Sequence, residues 1–168
     1  RNHSSAASDV YKRQLLKIRS KRNKPFFDDK TQLDLNCLWI SALVTASEVL
    51  PEKNYLNLAE EFFSKIEKKY IEDKIYHSYS KDIVFIEDYA FLINTLNDLY
   101  DKTMNFKYKN FAKKLVVEAS NKFYLNEKNI FQKNPIEKND IFLKPIDISD
   151  NTIPNGNAIT VSYTHLRA

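Results

Sequence analysis

The 168-residue sequence contains one cysteine, one glycine, one tryptophan and three histidines. A single thiol, Cys37, excludes an internal disulfide and any Cys-x-x-Cys redox or zinc motif. His3 and His165 lie near the two ends, so the chain offers no histidine cluster and no metal site is expected. Nothing in it calls for a cofactor. The most apolar uncharged run, Leu35 to Ser47, is too short to cross a bilayer, which takes about 20 apolar residues. With no secretory signal in view, the expectation is a cytoplasmic bacterial protein with no membrane partner.

Charge is a second scarcity once its placement is considered. The formal net charge of +4 would suit a nucleic-acid partner, but residues 1–14 supply +2 of it and Arg167 a further +1. ASDVYKRQ and VSYTHLRA, at the two ends, resemble translated sequencing-adapter DNA found at the ends of unrelated metagenomic reading frames. Residues 1–14 and 161–168 are therefore expected to be artefactual tails and are set aside. The remaining residues 15–160, with a charge of +1, read as one partial domain. No nucleic-acid partner is expected. The abundance of Lys, Asn, Ile, Phe and Tyr matches what an AT-rich coding sequence produces without functional selection.

What the chain has in quantity is helical periodicity of two kinds. Residues 35–50, LNCLWISALVTASEVL, place apolar groups at 35, 38, 39, 42, 43, 46, 49 and 50, and the other side still carries Cys37, Ile40 and Val44. Pro51 stops this helix. Residues 54–72 differ: Tyr55, Ala59, Phe62, Phe63, Ile66 and Tyr70 form one stripe, and Glu and Lys cover the rest. The alternation then repeats. Residues 88–101 are apolar nearly all round, whereas 105–123 oppose Phe111, Ala112, Leu115, Val116, Ala119 and Phe123 to six charges. A helix apolar on every side is enclosed by protein, and a one-sided helix can face water. The order implies an all-α fold of antiparallel helical hairpins in two layers, as in solenoids and α/α barrels.

Connections within a hairpin are short, and those between hairpins are long. The long ones, around IYHSYS, NIF and DIFLKPIDI, alternate apolar and polar residues and predict short β-hairpins. Each leads into an inner helix, so the starts of the inner helices share one end of the layer. That end gathers Asp28-Asp29-Lys30, Glu87-Asp88-Tyr89 and Pro154-Asn155-Gly156-Asn157, spaced by 59 residues from Asp29 to Asp88 and 67 from Asp88 to Asn155. One acid per helix is explained by capping and by the positive end of the helix dipole. Thr31 with Asp34 also matches a loose capping box. The second acid of each pair is free to face a cleft. At a helix start the ionised form is favoured, which would make Asp29 and Asp88 bases or hydroxyl acceptors.

KRNKPFFDDKTQLDLNCLWISAL, IEDYAFLINTLNDLY and IPNGNA, in this order, resemble the thioredoxin-domain family of YyaL-type proteins and spermatogenesis-associated protein 20. In that family a thioredoxin-like domain precedes an (α/α)6 barrel of the six-hairpin glycosidase-like kind. The resemblance implies that residues 15–160 are a fragment of such a barrel, about two and a half hairpins. It implies that the missing thioredoxin-like domain and further hairpins are its partners. Asp28, Asp29, Lys30, Asn36, Asp88, Tyr89, Ala90, Phe91, Pro154, Gly156 and Asn157 match the family pattern. Leu35-Asn36-Cys37 departs from the usual Trp-Asn-Gly, and Asn155 stands where Ser is usual. Cys37 adds bulk where the family has glycine.

The functional expectation is a carbohydrate-related barrel acting on a sugar or polyol-like ligand. Asp29 and Asp88 are the catalytic candidates, with Asp28 and Glu87 beside them. Lys30, Asn36, Tyr89, Asn155, Gly156 and Asn157 are the candidate ligand contacts, and Tyr76 and Tyr79 could stack on a sugar. The other reading is a non-catalytic helical scaffold for a peptide or protein. It would show an open apolar groove on the inner helices and no convergent polar groups.

Overall fold

The computed structural model describes residues 3–27, 29–50, 52–71, 74–78, 83–137, 146, 149 and 153–165. Among these residues, six helices and one two-stranded sheet follow in order: α1 His3–Ser20, α2 Leu33–Val49, α3 Tyr55–Tyr70, α4 Ile86–Thr103, α5 Phe106–Phe123, β1 Tyr124–Leu125, β2 Ile130–Phe131 and α6 Gly156–His165. The end segments set aside in the sequence both fall partly in helix, α1 spanning residue 14 and α6 spanning residue 160. Residues 7–20 of α1 are exposed throughout.

Helix α4 is the hub. It packs against α2 and α6 as well as α5, while α3 packs against α2. The inner row is thus α2, α4, α6, with α3 and α5 as the outer row. The cause is the polarity pattern. On α4, ten residues are buried, from Ile86 to Leu99, on all sides of the helix. On α3 only Ala59, Phe63, Ile66 and Tyr70 are buried, and on α5 Tyr108, Ala112, Leu115, Val116, Ala119 and Phe123. Each buried aliphatic or aromatic side chain contributes about 1.5–3 kcal/mol of transfer free energy.

Helix α2 departs from the stripe its spacing predicts. Leu33, Cys37, Ile40, Leu43 and Val44 are buried, which is mainly the face expected to lie opposite. Leu35, Trp39, Ala42 and Val49 of the expected stripe are exposed, Trp39 by 55% and Val49 by 74%. An all-round apolar helix has two faces able to bury. Here α4 and α3 take the face that carries Cys37. The thiol bulk is accommodated: Thr95 Oγ1 on α4 donates to the Cys37 carbonyl at 2.9 Å. Burial pushes the thiol well above its usual range, which leaves it protonated and inert.

Of the expected strands, NIF forms β2, paired antiparallel with β1 in the register Tyr124–Phe131 and Leu125–Ile130. Asn129, in the turn between them, takes φ 52°, a left-handed conformation that asparagine tolerates. The described part of IYHSYS, through Ser78, is not strand, and DIFLKPIDI apart from Ile146 lies outside the described residues. The hairpin is fastened to the inner row by Asn157. Its Oδ1 accepts from the Phe131 N–H at 2.9 Å, and its Nδ2 donates to the Phe131 carbonyl at 2.6 Å. Gly156 meets the start of α4 so closely that a Cβ there would lie 3.2–3.3 Å from Glu87 side-chain and main-chain atoms.

Candidate functional site

The beginnings of α2, α4 and α6 converge on one cleft of about 350 Å³, as their apolar-helix starts predict. Gln32 and Asp34 reach it from the start of α2, Glu87 from the first turn of α4, and Asn155 from the residue before α6. His77 and Lys133 arrive from the two long connections. Main-chain hydrogen bonds fix the assembly. The His77 carbonyl accepts from the Leu33 N–H at 2.9 Å, the His77 N–H donates to Ile83 at 3.0 Å, and the Lys133 carbonyl accepts from the Ile86 N–H at 3.1 Å. The connections therefore satisfy helix-start donors that would otherwise lack partners.

His77 is the chemical centre. Its Nδ1 lies 2.8 Å from Asp88 Oδ1, and its Nε2 lies 3.1 Å from Gln32 Nε2. Because the Gln32 amide nitrogen can only donate, Nε2 is the acceptor and Nδ1 carries the proton toward Asp88. The Phe85 ring sits edge-on to the imidazole at 4.9 Å. Asp88 lies beneath the cleft, fully buried, and its Oδ2 accepts from the Phe85 N–H at 2.8 Å. This carboxylate therefore serves both as a reach-back cap of α4 and as the support of His77.

Electrostatics follow from that geometry. The Asp88 hydrogen bond holds the His77 imidazolium to higher pH than the ordinary 6.5, against the opposing effect of burial. Burial pushes the Asp88 carboxyl above the usual carboxylate range, although His77 and the Phe85 N–H pull it down. The expectation that a helix start favours ionised Asp88 is thus corrected, because desolvation outweighs the favourable donors. Glu87 lies 3.8 Å from Lys133 across the cleft.

The remaining expected residues sit elsewhere. Asp29 is exposed and lies outside the cleft lining, because α2 begins at Leu33 with Gln32 as its N-cap rather than at the paired acids. The Thr31–Asp34 capping box does not form either: Thr31 Oγ1 bonds the Tyr70 hydroxyl instead, and Asp34 Oδ1 accepts from the Leu35 N–H. Asp28 and Tyr79 are outside the described residues, and Lys30 is exposed. Asn36 turns back on its own helix, its Nδ2 donating to the Gln32 carbonyl at 2.6 Å. Tyr89 is fully buried. It donates to Glu118 at 2.6 Å and accepts from Lys122, so it belongs to the core behind the cleft. Asn155 caps α6, its Oδ1 accepting from the Asn157 N–H at 2.6 Å, while Gly156 and Asn157 fasten α6 and the hairpin. Of the expected set, Glu87, Asp88 and Asn155 meet at the site.

His77, Gln32, Asp34 and Lys133 carry no periodic signal, and the sequence alone did not single them out for the site. The only available pointer was a lone histidine in a long aromatic connection that leads into an acid-started helix. Asp34, His77 and Asp88 place ligand-type atoms within 4.8 Å of one another, a grouping that the histidine count had argued against. Both imidazole nitrogens are already held, by Asp88 and Gln32, so the group is occupied as a hydrogen-bond network.

The sequence matches no protein-family model and no curated protein. Among solved structures, the fold is similar to a cellobiose 2-epimerase from Bacillus thermoamylovorans B4167. That likeness has a TM-score of 0.59 and 19% identity, and covers 70% of this chain and 35% of the other. It is also similar to a sugar epimerase from a ruminal bacterium, with a TM-score of 0.57 and 18% identity, over 64% of this chain and 32% of the other. The chain spans about a third of the length of either. These likenesses establish the fold: helical hairpins in two layers, corresponding to part of an (α/α)6 barrel. Among the described residues no helix is long and apolar enough to cross a membrane.

Proposed function

We propose that the cleft binds a sugar or polyol-like molecule and that His77, supported by Asp88, exchanges a proton with it. The chain would then be the 15–160 portion of a carbohydrate-related barrel of the YyaL-type thioredoxin-domain family, acting in the cytoplasm. One observation carries the reading: a cleft-lining imidazole is hydrogen-bonded through Nδ1 to a fully buried carboxylate. Such a pair fixes the tautomer and steadies the imidazolium once Nε2 has taken a proton. A ligand hydroxyl or carbon acid that displaces the Gln32 amide would present its proton to Nε2, and Asp88 would hold the resulting charge without touching the ligand. Glu87, Lys133 and Asn155 would bind polar groups around it. The sugar-epimerase neighbours support the ligand class by fold analogy alone.

The test is a binding screen of neutral sugars and sugar phosphates against the wild type, His77→Asn and Asp88→Asn. A neutral sugar is expected to bind, and His77→Asn is expected to weaken it by about tenfold or more, the effect of one lost hydrogen bond to a charged or polar group. Equal affinity in wild type and His77→Asn, or no sugar bound at all, overturns the proposal.

The scaffold reading has its own support in the open stripe of α2, where Leu35, Trp39 and Val49 are exposed. It predicts that a helical peptide binds and that Trp39→Ala abolishes the binding while His77→Asn does not.

A further inference from the structure

A second cavity, about 460 Å³, lies beneath the β1–β2 hairpin and shares no lining residue with the cleft at the helix starts. Gln132 lines it, and its side chain is unusual for this molecule. The residue is fully buried, yet among the described residues neither Nε2 nor Oε1 of the carboxamide has a hydrogen-bond partner. Other buried polar groups are engaged: Asn157 with Phe131, Thr95 with Cys37, Thr160 with the Gly156 carbonyl, and Asp88 with His77. Leaving a buried amide unpaired is destabilising, and an apolar residue of the same shape would avoid that cost. The backbone does not require glutamine there, since the Gln132 N–H donates to the Phe123 carbonyl at 2.9 Å and any residue but proline would do the same.

We propose that this cavity is a binding site for a neutral molecule bearing adjacent hydroxyl groups, read by the Gln132 carboxamide. A primary amide offers an acceptor and donors in one plane, which matches two neighbouring hydroxyls, one donating to Oε1 and one accepting from Nε2. The Tyr124 ring and Ile136 supply apolar wall for the carbon face of such a molecule. Glu127 and Lys128 flank the cavity with one charge of each sign, so neither an anion nor a cation is favoured. The ligand engages after the side chain rotates toward the cavity, exchanging an unpaired amide for a paired one. The flanking main chain stays fixed, because Asn157 holds Phe131 and the Ile86 N–H holds the Lys133 carbonyl.

The experiment is a titration of the full chain with methyl β-D-glucoside, and separately with glucose 6-phosphate, followed by amide NMR. The Gln132 side-chain NH₂ pair is assigned from its disappearance in Gln132→Met. With the neutral glycoside, that pair and the backbone amides of 124–128 are expected to shift in a saturable way, and less so with the phosphate. Gln132→Met is expected to remove the hairpin shifts while melting at a higher temperature than wild type. His77→Asn is expected to leave them intact, which separates this site from the cleft. Shifts confined to the cleft, shifts that survive Gln132→Met, or an ordered water that satisfies both amide atoms and is not displaced by the glycoside would each overturn the proposal. The wild-type titration stands even if Gln132→Met fails to fold.

Discussion

His77 and Asp88 each hold a proton more firmly in the folded chain than an ordinary histidine or aspartate does. For the histidine the sign is clear: a raised pKa adds stability that is complete below the ordinary 6.5 and is lost as pH rises through the folded value. Asp88 enters this window as the charge that holds the imidazolium. We therefore predict that the melting temperature falls as pH climbs from 6.5, and that Asp88→Asn flattens this dependence while lowering stability at every pH. Thermal melts across that range check it, and parallel profiles for the two proteins would contradict it. By contrast, Tyr108, pushed up to about 12 by burial and by Glu60, stays neutral across the same range and adds nothing to the slope.

Among the elements, the β1–β2 hairpin depends on one side chain from a distant helix. Asn157→Ala removes both hydrogen bonds to the Phe131 main chain, and we predict a loss of about 1–3 kcal/mol. Hydrogen exchange should quicken at Phe131 and leave α2 and α3 unchanged; uniform protection would argue against the clamp. The helices themselves were readable because α3, α4 and α5 obey a 3.6-residue period that burial enforces. The start of α4 was also readable, since Asp88 caps locally. The start of α2 was not. Its first N–H is satisfied by the His77 carbonyl, 44 residues away in sequence, so the paired acids lost the cap to Gln32. His77, Gln32 and Lys133 were missed as site residues for the same reason. Their placement results from long-range main-chain bonds that leave no pattern in a linear string. For α2, a sequence apolar on both sides cannot reveal which side a neighbour will cover.

At the level of the molecule, the inner row has an uncovered flank. Leu35, Trp39, Ala42, Ala46 and Val49 recur at intervals of four and three along α2, the spacing of a helix-packing seam, and all but Ala46 are exposed. Contiguous apolar surface of that kind favours association. We predict concentration-dependent self-association of this chain, measured by sedimentation, and a shift toward monomer in Trp39→Lys. A wild type monomeric at every concentration would refute the prediction. The neighbours are about three times longer. Residue 77 adds a different consequence. Its peptide group ties the start of the first inner helix to the connection at Ile83, while its imidazole meets the cleft and bonds Asp88 of the second inner helix. Main-chain architecture and side-chain reactivity are thereby written in separate parts of one amino acid. A single codon change at this position can alter the chemistry and leave the scaffold's main-chain bonds in place.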